Sequence, residues 1–195
     1  MKSIRISAGA MAVLACLATA PAIAQDGEPK IGVLRKEANG KVLEMKRSLQ
    51  KELRAAIKAG GFVKALEVCK TVAPSIAAKL SEPEGMSVRR TALKTRNPDN
   101  APDAYERKVL EQFVADAAAG KDLKKMQHAE IVGADGAKEF RFMRAIPTGK
   151  LCLNCHGDSI KDDVKAEIDK LYPKDEATGF KQGELRGAFS ISKKL

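Results

Sequence analysis

Between residues 31 and 57, apolar side chains recur every three or four positions and predict a long amphipathic helix. The positions are Ile31, Leu34, Val42, Met45, Leu49, Leu53 and Ile57. Gly40 is expected to interrupt or soften this helix, and the pair Gly60-Gly61 is expected to end it. A second helix is predicted from about Phe62 to Leu80. One face of it carries Leu66, Cys69, Val72, Ala73, Ile76 and Leu80.

The middle of the chain predicts strands and one more helix. A strand is expected near residues 86–93, before the Pro/Asn loop "RNPDNAP". Asp103 and Glu106 have the spacing of a capping box and open a third helix. The stretch "HAEIVGADGAKEFRFMRAI" predicts a hairpin that turns at Asp135-Gly136.

The C-terminal region predicts a helix near residues 162–171 and a last strand in "ELRGAFSIS". In that strand Leu185, Gly187, Phe189 and Ile191 alternate with polar or small residues. The order of elements predicts an α+β fold, in which an antiparallel sheet is covered by helices and a long helix lies at the N-terminal end.

Residues 1–24 have the pattern of a secretory signal peptide. Lys2 and Arg5 precede an uncharged run that closes on Ala22-Ile23-Ala24, a small-x-small cleavage pattern. The pattern predicts one mature domain, residues 25–195, in the periplasm or outside the cell. A retained anchor is disfavoured because the segment is short, and a lipoprotein site at Cys16 because apolar sequence continues beyond it. No later stretch is long and apolar enough to span a bilayer, so no stable membrane insertion is expected after the leader is removed.

The charge balance narrows the classes of partner. The chain has 35 Lys and Arg against 25 Asp and Glu, a formal net charge of +10, and the leader accounts for two of these positive charges. A basic surface attracts an acidic redox protein or an anionic membrane, although solubility alone is the simpler interpretation. Nucleic acid is disfavoured as a partner because the chain is predicted to be exported and its basic residues are interleaved with acidic ones.

The strongest chemical signal is "CLNCHG", residues 152–157. Cys-x-x-Cys-His is the attachment pattern of c-type haem. Cys152 and Cys155 would add to the two vinyl groups as thioethers, and His156 would bind the iron from one side. Attachment of this kind takes place after export, so the leader and the motif support each other. One covalently bound haem c is therefore the expected cofactor.

A redox-active cysteine pair and a zinc site are the two alternatives to haem attachment for this motif. A thioredoxin-like redox pair belongs at the strand-to-helix turn of a βαβ unit, whereas this motif follows a hairpin. A zinc site would combine Cys152, Cys155, His156 and Cys69, but a histidine directly after the second cysteine is awkward for one tetrahedral ion.

A basic stretch, "VRRTALKTRNPDNAP", supplies candidate partners for the cofactor's propionates. Arg90 would share a strand face with apolar residues, so its buried guanidinium needs an anion. Arg96 is the candidate for the second propionate, since bidentate arginine suits a carboxylate. Arg89 and Lys94 are interpreted as solvated cations.

Four segments together resemble a family of c-type haem domains with a PAS-like fold. They are "EVCKTVAPSIA", "RTALKTRNPDNAPDAYE", "FRFMRAIPTGKLCLNCHG" and "GELRGAFS". The family includes exported single-haem cytochromes, among them cyanobacterial ones, and sensing domains of bacterial signalling proteins. The resemblance covers residues 40–193 and implies a PAS-like antiparallel sheet of about five strands. It also implies that Cys69 is the axial ligand on the other side of the iron from His156.

Other axial ligands remain open. Methionine commonly pairs with histidine in cytochromes c, and the predicted mature chain has Met45, Met86, Met126 and Met143. Packing in the core is the preferred interpretation for all four. His128 is interpreted as a surface imidazole.

Two functions fit these observations. The PAS-like resemblance and an unusual ligand favour a haem-based redox or diatomic-gas sensor that acts through a separate redox or signalling protein. The basic surface favours a small periplasmic electron-transfer cytochrome instead. No serine triad, paired carboxylates or phosphate loop is recognisable, so the chain is not expected to be an enzyme.

Overall fold

The computed structural model describes residues 31–81, 85–133 and 136–195. The predicted leader and Asp135 of the predicted turn lie outside these ranges. Five α-helices are present in the described ranges: α1 (Ile31–Glu67), α2 (Ala73–Ser81), α3 (Ala104–Ala118), α4 (Leu153–His156) and α5 (Asp162–Leu171). The strands are β1 (Met86–Thr91), β2 (Gln127–Val132), β3 (Glu139–Pro147) and β4 (Leu185–Lys194). None of the helices within these ranges is long and apolar enough to cross a bilayer.

The four strands form one antiparallel sheet in the order β1-β4-β3-β2. The predicted α+β class and the predicted hairpin of β2 and β3 are confirmed. The count of about five strands is wrong for the described part of the chain. After β1 the chain enters a loop with a short 3-10 turn, Pro98–Asn100, and does not return as a second strand. Pro98 and Pro102 have no backbone N–H to donate to a sheet ladder, which explains why this loop does not pair.

Both faces of the sheet are buried. The first half of α1 and several strand residues form one cluster: Leu34, Ala38, Val42, Met45, Met86, Val88, Phe140, Phe142, Phe189 and Ile191. On the other face α3 packs with the strands through Val109, Leu110, Phe113, Met143, Ala145 and Ala188. Burial of each large side chain contributes roughly 1.5–3 kcal/mol. The two clusters therefore fix the sheet against a helix on each side.

The long first helix is confirmed, and its break lies at the predicted place. Gly60 and Gly61 have non-helical backbone angles, with φ +69° at Gly61. Gly40, by contrast, does not interrupt the helix. It is exposed, it lies inside α1, and nothing approaches the position of a Cβ there. A glycine in such a helix lowers stability without bending the backbone.

The second predicted helix is continuous but not regular. Residues Val68–Val72 form a π-helical turn, in which the N–H of Ala73 donates to the carbonyl of Val68. Pro74 follows and has no N–H for the helical ladder. A π turn adds a residue and rotates the next helix, so the single predicted face is wrong. Leu66 packs with Val164 and Ile168 of α5, whereas Leu80 packs with the first half of α1.

Gly187 is the glycine on which the sheet depends most directly. It lies in β4 opposite Ile146 of β3, and a Cβ there would overlap the carbonyl oxygen of Thr91. We expect Gly187→Ala to lower the free energy of unfolding by roughly 1–3 kcal/mol, because the backbone of β1 must move. Urea denaturation followed by circular dichroism measures this change.

The matched control is Gly40→Ala, which meets no atom within 4 Å. This substitution should raise the free energy of unfolding by roughly 0.5–1 kcal/mol. Equal effects at the two positions would contradict the assignment of a close approach at Gly187.

Candidate functional site

A cavity of about 560 Å³ lies between α1, the ends of β1, β3 and β4, and the segment that carries the cysteine motif. Its apolar wall includes Leu49, Leu53 and Ile57 of α1, which are half-buried. These three continue the predicted apolar stripe beyond the residues that pack on the sheet. The second half of the stripe therefore faces a cavity of the size that cofactor sites have.

The motif "CLNCHG" lines this cavity. A 3-10 turn, Lys150–Cys152, leads into α4, and Cys152, Cys155 and His156 all lie in the cavity wall. The turn closes after His156, where the N–H of Gly157 donates to the carbonyl of Leu153 at 2.9 Å. A Cβ on Gly157 would lie 2.6 Å from that same oxygen. The glycine after the histidine is therefore required by a close backbone contact.

One ring nitrogen of His156 forms a hydrogen bond within the protein. Nδ1 lies 2.7 Å from the carbonyl oxygen of Ala177, which can only accept, so Nδ1 carries the proton. Burial, aided by the positive charges of Arg186 and Arg96, holds the pKa of His156 well below its ordinary value, so the ring is neutral at pH 7. Nε2 then keeps its lone pair, as in a metal-binding histidine whose second nitrogen is oriented by a carbonyl.

Arg96 is buried, with 7% of its side chain exposed, and it forms a bidentate pair with Asp175, which is 5% exposed. The distances are 3.1 Å from Nε to Oδ1 and 2.9 Å from Nη2 to Oδ2. Nη2 also donates to the carbonyls of Cys155, at 2.6 Å, and Ala177, at 3.3 Å. The fork of Arg96 already holds a protein carboxylate, so this geometry does not favour Arg96 as a propionate partner, and that assignment stays a prediction. Arg96 is instead placed to fix the two segments that orient His156.

Arg90 lines the cavity, and no hydrogen bond or ion pair joins its side chain to another residue in the described ranges. Burial lowers the pKa of its guanidinium, while Cys69 and Tyr172 act in the opposite direction. An arginine stays charged even so. The cavity wall therefore carries a half-buried positive charge without a carboxylate partner, and such a charge favours an anionic ligand.

Sequence reasoning missed Arg186. This β4 residue lines the cavity, and burial, reinforced by the charges of Arg96 and Arg90, lowers its pKa to about 10. Nη1 donates to the carbonyl of Lys94 at 3.2 Å, whereas Nε is buried without a hydrogen-bond partner. Its guanidinium also lies 5.2 Å from the ring centroid of Phe180, and the ring of Phe180 makes a T-shaped contact with His156. Arg186 could have been identified from the sequence, because it is the one arginine within the predicted strand "ELRGAFSIS".

Cys69 lies on the π-helical turn and lines the same cavity as the motif. It is a free thiol. Burial raises its pKa, and the charges of Arg90 and Arg96 oppose that rise. The structure thus brings Cys69, Cys152, Cys155 and His156 together around one cavity.

The other sequence candidates lie elsewhere. Met45, Met86, Met126 and Met143 are buried in the two core clusters, and no methionine is among the described residues that line the cavity. His128 is exposed and lies 3.5 Å from Glu130.

Arg89 is not a solvated cation, since it pairs with buried Glu106 at 3.2 Å. No group of three or more possible metal-binding side chains is found in the described ranges, so the zinc alternative has no ligand cluster there.

The fold and the site define a class: an α+β domain built around one cavity whose wall carries a Cys-x-x-Cys-His motif. Residues 27–193 match the family model described as Tll0287-like, and the chain belongs to that family. Among solved structures it is similar to the cyanobacterial haem protein Tll0287, with 28% identity and a TM-score of 0.57. That match covers 82% of this chain and 96% of the other. No curated protein matches the chain.

The different surroundings of Arg96 and Arg90 give a prediction for the chain purified without a cofactor. Arg96→Leu should lower the free energy of unfolding by roughly 3–5 kcal/mol, because it leaves Asp175 buried and unpaired. Arg90→Leu should leave stability unchanged or raise it, because it removes a half-buried charge that has no carboxylate partner. Urea denaturation of both variants checks the contrast. Equal losses would show that Arg90 is held as tightly as Arg96.

Proposed function

We propose that this chain is an exported c-type haem protein and that it works as a redox or diatomic-gas sensor through a separate protein partner. Cys152 and Cys155 would carry one haem, and His156 would bind its iron. The observation that carries the proposal is the set of three free cysteines and one neutral histidine on the wall of a single cavity. The similar structure's description as a haem protein supports it. The proposal assigns no substrate turnover to the chain.

The residues present fit a haem in three respects. The cavity has room for a cofactor and an apolar wall on α1, the motif cysteines lie in that wall, and the charge is complementary to propionates. Among the described residues that line the cavity, eight are Lys or Arg and none is Asp or Glu. Arg90 and Arg186 are half-buried and have no carboxylate partner, so we assign the propionates to them. When bound, the haem supplies a one-electron redox centre and an iron that takes axial ligands.

Cys69 is proposed as the second axial ligand. Apart from the two attachment cysteines, it and His156 are the only described cavity residues with a thiol or imidazole. A thiolate there would favour the ferric state, and Arg90 lies close enough to stabilise its negative charge. His156 keeps its ligand nitrogen deprotonated through the hydrogen bond from Nδ1 to Ala177.

The role of sensor is supported by this half-buried thiol, since a thiolate that is protonated on reduction would leave a position for a diatomic ligand. An electron carrier is the second candidate. It is favoured by the exposed, basic edge of the cavity, where Lys150 and Leu151 directly precede the first motif cysteine. Carbon monoxide binding to the reduced protein separates the two, because a carrier keeps both axial ligands in both redox states.

Covalent attachment is tested by intact-mass analysis. After expression with a c-type maturation system, we expect a chain that begins at Gln25 and carries the mass of one haem under denaturing, reducing conditions. The double variant Cys152→Ser/Cys155→Ser serves as the control and should show the bare polypeptide. A bare mass for the wild-type chain would rule out the proposed cofactor chemistry.

The axial role is tested with Cys69→Ser. This variant should retain covalent haem but lose the low-spin thiolate signal in electron paramagnetic resonance, and its reduction potential should rise because the ferric state is no longer stabilised by thiolate. His128→Gln, which changes the other imidazole of the chain, should leave both properties unchanged. Identical spectra and potentials for wild type and Cys69→Ser would show that Cys69 only packs.

A further inference from the structure

The mouth of the cavity is formed by exposed residues from two parts of the chain. From α1 come Leu43, Lys46, Gln50 and Arg54, which follow one another at helical spacing. From the loops come Lys124 and residues 149–151. We call the exposed cations of this mouth, Lys46, Arg54, Lys124 and Lys150, the basic rim.

Apolar side chains accompany the basic rim. Leu43 is 41% exposed and Leu151 is 44% exposed, and both also line the cavity. Leu151 is the residue before Cys152, so this part of the surface lies next to the cofactor attachment point. An apolar contact area surrounded by charged groups is the usual arrangement of a transient protein interface.

All the charged residues that line the mouth of the cavity are basic. The nearby acids of α1, Glu44 and Glu52, do not line the cavity, and no Asp or Glu does among the residues described. A patch of one sign raises the rate at which an oppositely charged protein associates, by roughly 10- to 1000-fold at low salt. The complementary partner is therefore acidic.

We propose that the basic rim, with Leu43 and Leu151, is the docking surface for a small acidic electron-carrier protein. The inference rests on the proposed haem function and names the class of partner that exchanges electrons at this site. In the transfer the partner is oxidised by one electron and the bound iron is reduced from Fe(III) to Fe(II), with no atom exchanged. Docking at the mouth would bring the partner beside Leu151, which precedes Cys152, one of the two cysteines that would hold the cofactor.

The test uses an acidic plant-type [2Fe–2S] ferredoxin as the probe and the haem-loaded chain as the acceptor. In stopped-flow measurements at low ionic strength, Lys46→Glu/Lys150→Glu should lower the second-order reduction rate by about tenfold or more. The matched control, Arg107→Glu/Lys108→Glu, makes the same charge change on exposed positions of α3 and should lower it less than twofold. The rates of all three proteins should converge at high salt, where charges are screened.

A second measurement does not depend on electron transfer. In a nuclear magnetic resonance titration with oxidised ferredoxin, backbone shifts should cluster at residues 43–54 and 149–152 in wild type and vanish in the rim variant. Lys46→Gln/Lys150→Gln should give an intermediate loss, which guards against misfolding caused by the reversed charges.

The outcomes separate this inference from the proposed function. A wild-type chain without covalent haem contradicts the proposed function, and the titration still decides whether the rim binds the acidic protein. Equal effects of rim and control variants would overturn the docking surface, because net charge alone would then explain them. Binding to phosphatidylglycerol vesicles that the rim variant loses, with no ferredoxin shifts at the rim, would assign this surface to a membrane and overturn the proposal as well.

Discussion

The arrangement of the site depends on one buried guanidinium. Arg96 joins three segments that are distant in sequence: its own loop after β1, the cysteine motif through the carbonyl of Cys155, and the C-terminal loop through Asp175 and Ala177. Ala177 in turn accepts from His156, so the orientation of that ring follows from the position of Arg96. A buried ion pair contributes little net stability, but it penalises every arrangement that separates its charges. The ion pair of Arg96 and Asp175 therefore fixes the relative positions of the three segments more than it adds to the free energy of unfolding.

A second constraint is the excess of positive charge that the fold gathers around the cavity. Arg96 is neutralised by Asp175, whereas Arg90 and Arg186 lie nearby without a carboxylate of their own, and their mutual repulsion adds to the cost of burial. An anionic ligand that binds beside these charges would neutralise them and so stabilise the folded state. Phe180 moderates the cost, since Lys94 and Arg186 both lie near its ring, and the same ring makes a T-shaped contact with His156. The stability of the cavity and its affinity for an anion therefore have the same origin.

Local patterns predicted the elements well, because hydrophobic spacing, the capping box at Asp103 and the glycine pair that breaks α1 act over a few residues. The partner of Arg96 could not be predicted, since Asp175 lies 79 positions away and nothing in the local sequence distinguishes it from other acids. Arg186 was missed for a similar reason: its own strand does not show that it lines the same cavity as Arg90 and lies close enough to repel that charge. The apolar stripe of α1 was recognised, but spacing alone cannot tell a residue that packs on a sheet from one that lines a cavity.

Cys69 illustrates how a backbone irregularity converts a core position into a site position. In a regular α-helix it would share one face with Leu66 and Leu80, and a small apolar side chain would serve there equally well. The π turn that precedes Pro74 rotates the helix, so that Leu66 packs on α5, Leu80 packs near α1, and the thiol is left in the cavity wall beside Arg90. Packing gives no reason for sulfur at such a position, and in an oxidising compartment a free thiol is open to oxidation. The iron proposed for this cavity would supply that reason, because a bond to Cys69 would both use the thiolate and protect it.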